Sequence, residues 1–486
     1  VFLGIDIGTS SVKAVLVDEH ETLVAQASMP LALARPQPLW AEQDAQDWWQ
    51  ATVAAIRTLP AAARAAVRAI GLSGQMHGAT LLDQSGKTLR AAILWNDGRS
   101  ARECVELEQR EPRSRAITGN IMMPGFTAPK LLWVAHHEPQ IFARIARVLL
   151  PKDYVRLQLT GEAVSDMSDA AGTGWLDVGR RDWSDQMLAA TGLDRSQMPR
   201  LVEGSAPSAS LTPQAAEQLQ LPPVVVAGGA GDNAATAVGM GVIAPGQAFL
   251  SLGTSGVLFV VTERFRPNPD KAAHAFCHCL PGLWHQMSVM LSAASALDWV
   301  AQLTGESDLP RLVAAAQARG LRRTAPYFLP YLSGERTPHN DPHCRGVFFG
   351  LNPQTSRADL TLAVLEGVAL AFADGMDVLL EHGGVVDEIS VTGGGARLPY
   401  WGTLLAAALN RALTYRLGSE IGAAMGAARL ARLALTGEAP RSVCVMPPIA
   451  QVIQPDAELA ALLAERRGMF VRLYRDLKDT FVEYAT

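Results

Sequence analysis

At 486 residues the chain is too long for one ordinary hydrophobic core and suits two large domains. Hydrophobic residues make up 49% and charged residues 18%, a globular balance, and a formal net charge of −5 provides no basic field for nucleic acid or an anionic membrane, so small soluble ligands are the default partners. Five cysteines, odd in number and mostly scattered, suit a reducing, cytoplasmic compartment rather than a disulfide framework.

No basic leader opens the chain and Asp6 interrupts its first apolar run, so no secretory signal is expected. Strands are expected over 2–7, 12–17 and 23–28, a meander whose first turn holds Gly8, Thr9 and Ser10. A helix is expected over 44–66, with Trp48, Trp49, Val53 and Ile56 on one face. A strand over 69–73 then delivers the loop Gly74, Gln75, Met76, His77, Gly78, and loops after strands are where binding residues sit. Another strand over 91–95 leads to Asn96, Asp97, Gly98 and Arg99 and a charged helix ending near Arg110. Residues 205–223, rich in Ser, Pro and Ala, read as a surface connection before a strand over 224–227. That strand runs into Gly228, Gly229, Ala230, Gly231, Asp232 and Asn233, and small residues to Gly241 look helical. The domain boundary is placed just after, giving 1–243 and 244–486. Residues 234–262 carry no charge and are long enough to span a bilayer, but Pro245 and Gly246 split them and the second part alternates like a hairpin.

The tripeptide of the first turn recurs at Gly253, Thr254 and Ser255, half the chain later, again between two apolar, strand-like runs. A helix over 292–303, a strand over 327–331, a helix over 358–380 and a strand over 388–392 follow. Next come Gly393, Gly394 and Gly395, a helix from Trp401, a helix with Gly422 and Gly426 four apart, and a capping helix over 456–486. Strands alternating with helices make the fold α/β.

Consecutive amides in a Gly-containing turn form an anion-binding nest, and adjacent Thr and Ser hydroxyls add donors for phosphate oxygens. Each turn alone reads as structural; two copies from similar domains suit a triphosphate bracketed from both sides. Asp6 stands two residues before Gly8, where the second copy has Ser251. A carboxylate in an apolar strand is costly to bury unless paired or near a cation, which suits Mg²⁺, with a backbone-bonded strand end as the alternative. Asp232 sits where a helix begins; a plain N-cap is one reading, and a general base made accessible by flanking glycines the other. The triple glycine lacks a dinucleotide-binding spacing and fits either a surface against a nucleotide or a simple turn. His77 reads as a contact for a hydroxylated ligand or as a structural loop residue. Cys277, His278 and Cys279, with His274 and His285 nearby, fall short of two separated ligand pairs, so an alternating strand is preferred to zinc.

Five segments carry a family likeness: GIDIGTSSVKAVLVD, GQAFLSLGTSGVLF, ISVTGGGARLPYW, GFTAPKLLWVAHH and GVFFGLNPQTSRADLTLAVLEG. Over nearly its whole length the chain resembles the FGGY carbohydrate kinases of the actin, hexokinase and Hsp70 ATPase superfamily, with His136 a departure where other polar residues are usual. SGQMHGATLLD, AILWNDGR, SDMSDAAGT and FLPYLSGERTPH resemble the D-xylulose-phosphorylating branch rather than the glycerol kinases, which carry charged residues where Met76 and His77 stand. The resemblance implies two ribonuclease-H-like domains flanking a catalytic cleft, the first for sugar and the second for nucleotide. It implies ATP-dependent phosphorylation of D-xylulose to D-xylulose 5-phosphate, with Asp232 as general base and Asp6 organising Mg²⁺. Met76, His77, Asp232 and Asn233 would contact the ketose; Thr9, Ser10, Gly253, Thr254, Ser255, Gly394, Gly395 and Ala396 would contact ATP. A homodimer is implied by the family alone. The alternatives are a kinase for L-ribulose, L-fuculose, D-gluconate or glycerol, or a noncatalytic sugar- or nucleotide-binding regulator on the same fold. A chaperone-like ATPase would need a peptide-binding domain for which the chain has no room.

Overall fold

The strand Phe2–Ile7 is buried along its length apart from the half-buried Asp6, and it pairs antiparallel with Ser11–Val17, which pairs antiparallel with Leu23–Pro30. On its other side Phe2–Ile7 runs parallel to Ala69–Gly74, then come Val225–Ala227, also parallel, and the antiparallel edge strand Pro207–Ser210. The computed structural model describes residues 1–418 and 421–485.

The second half repeats this order. Gln247–Leu252 pairs antiparallel with Gly256–Thr262 and that strand with Trp284–Met290, while Glu388–Thr392 and Leu413–Arg416 extend the sheet in parallel to an antiparallel edge, Ile449–Ile453. His274–Cys277 adds a strand beyond the meander. The two turns therefore occupy equivalent places, each joining the first hairpin of its sheet. In the same register Asp6 lies beside Ser73 and Ser251 beside Thr392.

Each sheet has its own apolar core, one around Trp48, Ile56 and Leu72, the other around the helix Arg357–Leu380, buried along most of its length. Ser356 caps that helix, its hydroxyl accepting from the Asp359 amide while the Asp359 carboxylate reaches back. The helix Gly422–Thr436, which follows the second sheet in sequence, packs on the first: a Cβ at Gly4 would lie 2.0 Å from the Ala424 carbonyl oxygen and one at Gly71 1.8 Å from that of Ala427. It also packs on the helix Asp232–Met240, where a Cβ at Gly426 would lie 1.8 Å from the Ala235 carbonyl oxygen. The close approach expected from Gly422 and Gly426 is thus between two helices, one from each half.

Several sequence expectations need correction. The helix expected over 44–66 ends at Thr58, because Pro60 breaks it before a short second helix, Ala61–Ala65. The supposed connection over 205–223 contains the edge strand Pro207–Ser210 and the helix Pro213–Leu219. The strand expected over 91–95 is only Ala92–Ile93. The capping helix is Ala457–Ala485, its expected last residue, Thr486, lying outside the described residues. Among the described residues no helix is long and apolar enough to cross a membrane.

Candidate active site

Asp6 and Asp232 lie at the same end of the first sheet on either side of Ala69–Gly74, Asp6 on the strand paired with one edge of it and Asp232 just after Ala230–Gly231, which pairs with the other. Asp232 is not a cap; Gly231 is the N-cap and Asp232 the first helical residue. Both the amide and the side-chain nitrogen of Asn233 donate to Asp232 Oδ1, at 2.7 and 3.0 Å, which fixes the carboxylate and leaves Oδ2 for a ligand. Burial pushes the Asp232 carboxyl up to about 7, the negative charge of Asp6 adds to that, and the Asn233 bonds oppose it. Asp6 is likewise raised by burial, with Ser73 and Lys13 drawing it back, and its Oδ1 is buried without a hydrogen-bond partner. A buried oxygen with nothing to accept from, beside a second carboxylate, is suited to a hard divalent cation.

The loop that carries Asp232 rests on buried charge. Arg156, fully buried on the helix Pro151–Thr160, donates to the carbonyls of Ala227 and Gly228 and to Ser208 Oγ at 2.8 Å. The Gly231 amide donates to Ser168 Oγ at 3.1 Å, and that hydroxyl donates to Asp166 Oδ2 at 2.5 Å. Lys152 then joins Asp153, Asp166 and Asp169 at 2.6, 2.9 and 3.1 Å, all with fully buried side chains. Three carboxylates raise the Lys152 ammonium above its ordinary value despite its burial, so the cluster keeps its cation. Two cations and three carboxylates thus hold the main chain from Ala227 to Gly231.

Met76 and His77 form the facing wall. A Cβ at Gly231 would lie 2.9 Å from Met76 Cγ, and one at Gly172 2.7 Å from Met76 Cε and 2.5 Å from His77 Cε1, so small residues seat both side chains. His77 has a left-handed backbone, φ 71°, which its carbonyl's two donors stabilise: Lys130 Nζ at 2.9 Å and Thr127 Oγ1 at 3.1 Å. Its Nδ1 lies 2.6 Å from the Gly172 carbonyl and therefore carries the proton, while burial and the Lys130 charge hold the imidazole down at about 3. Neutral His77, stacked on Phe126 at 5.0 Å, presents Nε2 as an acceptor for a hydroxyl.

Thr9 is clamped from three directions. Its hydroxyl donates to Gln75 Oε1 at 3.0 Å and accepts from Trp95 Nε1 at 2.9 Å, and its carbonyl accepts from Gln43 Nε2 at 2.7 Å. Gln75 Nε2 in turn donates to Gln43 Oε1 at 3.0 Å. The exposed Ser10 follows, its carbonyl accepting from Leu31. In the second turn the carbonyls of Gly253 and Thr254 accept from Ala294 and Ala293 at 3.0 and 2.8 Å, tying it to the start of the next helix; Ser255 completes it. The triple glycine lies against this turn: a Cβ at Gly393 would lie 2.8 Å from the Gly253 amide, and one at Gly395 2.6 Å from Leu252 Cγ. Gly394 faces open space, and the Ala396 amide donates to the Gly393 carbonyl at 3.2 Å.

The structure therefore gathers Asp6, Asp232, Asn233, Met76 and His77 in one place and Gly253, Gly393, Gly394 and Gly395 in another. Among the described residues no hydrogen bond joins the first turn to the second. Gln43, Trp95, Lys130, Arg156 and the Lys152 carboxylate cluster were not singled out from sequence, though PKDYVRLQLT places three charges, Lys152, Asp153 and Arg156, on two successive turns among apolar residues. Cys277 belongs to the strand His274–Cys277, which is buried at every position rather than alternating and ends before His278 and Cys279, and all five cysteines are free and buried.

The N-terminal domain model of the FGGY family of carbohydrate kinases matches residues 1–239, and the C-terminal domain model of that family matches 248–435. A xylulose kinase of Escherichia coli (strain K12) is 54% identical over 480 residues, 98% of this chain and 99% of that protein. The crystal structure of a xylulose kinase from Brucella ovis superposes with TM-score 0.95 at 51% identity, covering 98% of this chain and 99% of the other. That of a xylulose kinase from Rhodospirillum rubrum superposes with TM-score 0.91 at 31% identity, covering 99% of both.

Proposed function

The chain belongs to the FGGY family of carbohydrate kinases, and from that membership we propose its reaction: ATP-dependent phosphorylation of D-xylulose to D-xylulose 5-phosphate. The observation that carries the assignment of the centre is the Asp6 and Asp232 pair, with the Asp232 carboxyl at about 7. A base with that value accepts a proton readily near neutral pH, where a substantial share of it is ionised.

Met76 and His77 bind and orient the ketose, and Asn233 aims Asp232 at the C5 hydroxyl. As the C5 oxygen bonds to the γ-phosphorus, Asp232 takes the hydroxyl proton, the bond from that phosphorus to the β,γ-bridging oxygen breaks, and ADP departs. The proton then passes from Asp232 to water. Phosphoryl transfer depends mainly on alignment and charge stabilisation. The turn around Thr9, whose hydroxyl and carbonyl are fixed by Gln43, Gln75 and Trp95, would offer backbone amides, Ser10 its exposed hydroxyl, and Gly253, Thr254 and Ser255 the corresponding donors of the second turn. Gly394, Gly395 and Ala396 form the surface for the nucleoside. Asp6 is the residue that would hold Mg²⁺, which when bound neutralises phosphate charge. The five free cysteines support a cytoplasmic location.

The test is ADP release with D-xylulose, L-ribulose, L-fuculose, D-gluconate and glycerol. D-xylulose should give the highest kcat/KM; a clear preference for another acceptor overturns the substrate. If D232A stays folded and keeps most of its activity, the base assignment falls.

A further inference from the structure

FLPYLSGERTPH contributes a side chain that nothing above uses. Arg336 lies in the second half of the chain, yet it neighbours His77 closely enough that its charge helps hold the imidazole neutral. The link is an aromatic cluster: His77 packs on Phe126 at 5.0 Å and near Phe276 at 6.3 Å, Phe276 stacks on His274 at 5.1 Å, and His274 Nε2 lies 3.3 Å from Arg336 Nη1.

His274 is held in one tautomer. Asn120 pairs with the backbone of Ala275, its Nδ2 donating to the carbonyl at 3.0 Å and its Oδ1 accepting from the amide at 3.3 Å. The same Oδ1 lies 3.1 Å from His274 Nδ1, which must therefore carry the proton, leaving Nε2 to accept from Arg336. Burial keeps His274 neutral. Asn120, from the first half, thus orients His274, and His274 orients Arg336.

One Arg336 nitrogen is accounted for in this way. Among the described residues its guanidinium forms no ion pair, and the neighbouring Glu335 spends one carboxylate oxygen on the amides of Leu291 and Arg336. Burial raises the Glu335 carboxyl to about 8, with the Arg336 charge drawing it back, and the two side chains form no ion pair. Nε and Nη2 remain on a half-buried fork beside the His77 wall. Donors without acceptors there match a ligand dense in oxygen atoms.

We infer that Arg336 is a sugar-contacting residue that donates hydrogen bonds to oxygens of the bound ketose from the opposite half of the chain. The inference rests on the ketose reading of the Met76 and His77 wall. It makes the sugar a bridge between the halves, because the base stands on one and the guanidinium on the other. Sugar binding then favours the closed arrangement in which transfer occurs, a device that limits transfer to water.

The experiment is isothermal titration of full-length wild type, R336M and R336Q with D-xylulose and, separately, with ADP. Loss of charge-assisted hydrogen bonds should weaken D-xylulose about 10–100-fold, with ADP affinity and the thermal midpoint unchanged. Sugar affinity within twofold of wild type in either folded variant overturns the proposal, and so does an equal loss of ADP affinity, the mark of a merely structural role. If the wild type binds L-ribulose or D-gluconate and not D-xylulose, the substrate reading fails separately. The same comparison made with the sugar that binds then decides Arg336.

Discussion

The charge of Asp6 acts on Asp232: after burial it is the main cause that holds the Asp232 carboxyl up, at about 7 rather than the ordinary 3.8. Neither residue is a neighbour of the other in sequence. The strand Phe2–Ile7 and the helix Asp232–Met240 bring them together, one at a strand end and the other at a helix start.

The rate should therefore rise with pH. With D-xylulose limiting, kcat/KM is expected to climb through an apparent pKa near 7 as Asp232 ionises. Replacement by Asn should lower kcat on the order of 10²–10⁴-fold and remove that limb. A profile flat from pH 5.5 to 8.5 contradicts the base.

The same carboxyl affects stability, with opposite sign. Its folded value is above its unfolded one, so its contribution is fully present below pH 3.8 and is lost as pH rises through 7. D232N should then be the more stable protein at pH 8, on the order of 2–4 kcal/mol once solvent screening of a half-buried group is allowed for, and the gap should shrink towards pH 4. Urea melts at both ends of that range give the measurement.

Arg156 answers a different question, whether the buried charges hold the Asp232 loop. R156M leaves the carboxylate cluster one cation short and frees the carbonyls of Ala227 and Gly228, so unfolding should be easier by about 3–5 kcal/mol. In protein that remains folded, kcat should fall while the KM for ATP stays constant. A change in the KM for ATP alone points away from the loop.

Two glycine substitutions in helices should move stability in opposite directions. G426A places a Cβ 1.8 Å from the Ala235 carbonyl oxygen and should destabilise by about 1–3 kcal/mol as the helix pair separates. Gly468, in the helix Ala457–Ala485, has nothing within 4 Å of its Cβ position, and G468A should stabilise by about 0.5–1 kcal/mol. Thermal melts of the two variants side by side decide the matter.

The strands and both turns were legible because apolar runs around Gly-containing turns depend on local sequence. So was the start of the helix at Asp232, although its capping was not: Gly231 takes the N-cap and so frees the carboxylate. Pro60 was visible in the sequence, yet the apolar period on both sides obscured its effect. Pro207–Ser210 was illegible for a better reason, since its short, polar segment is a strand only by pairing with Val225–Ala227. Lys152 and Arg156 drew no attention in the sequence; of the carboxylates that explain their burial, Asp153 is on the same helix and Asp166 and Asp169 come from SDMSDAAGT, a separate segment. Arg336 was hidden in the same way, as its partners His274 and His77 lie far off in the chain.

Gly422–Thr436 fills the grooves over Gly4 and Gly71, so the first sheet lacks one covering helix until the ribosome has passed residue 436. A nascent first half, even with all its strands paired, would still display that bare glycine track. Folding order is thereby tied to synthesis order: the candidate sugar-binding wall around Met76 and His77 emerges well before the helix Gly422–Thr436 that covers the sheet. Termination between residues 234 and 421 would yield a protein with every candidate sugar-site residue from Met76 to Asn233 present and one face of the first sheet left uncovered.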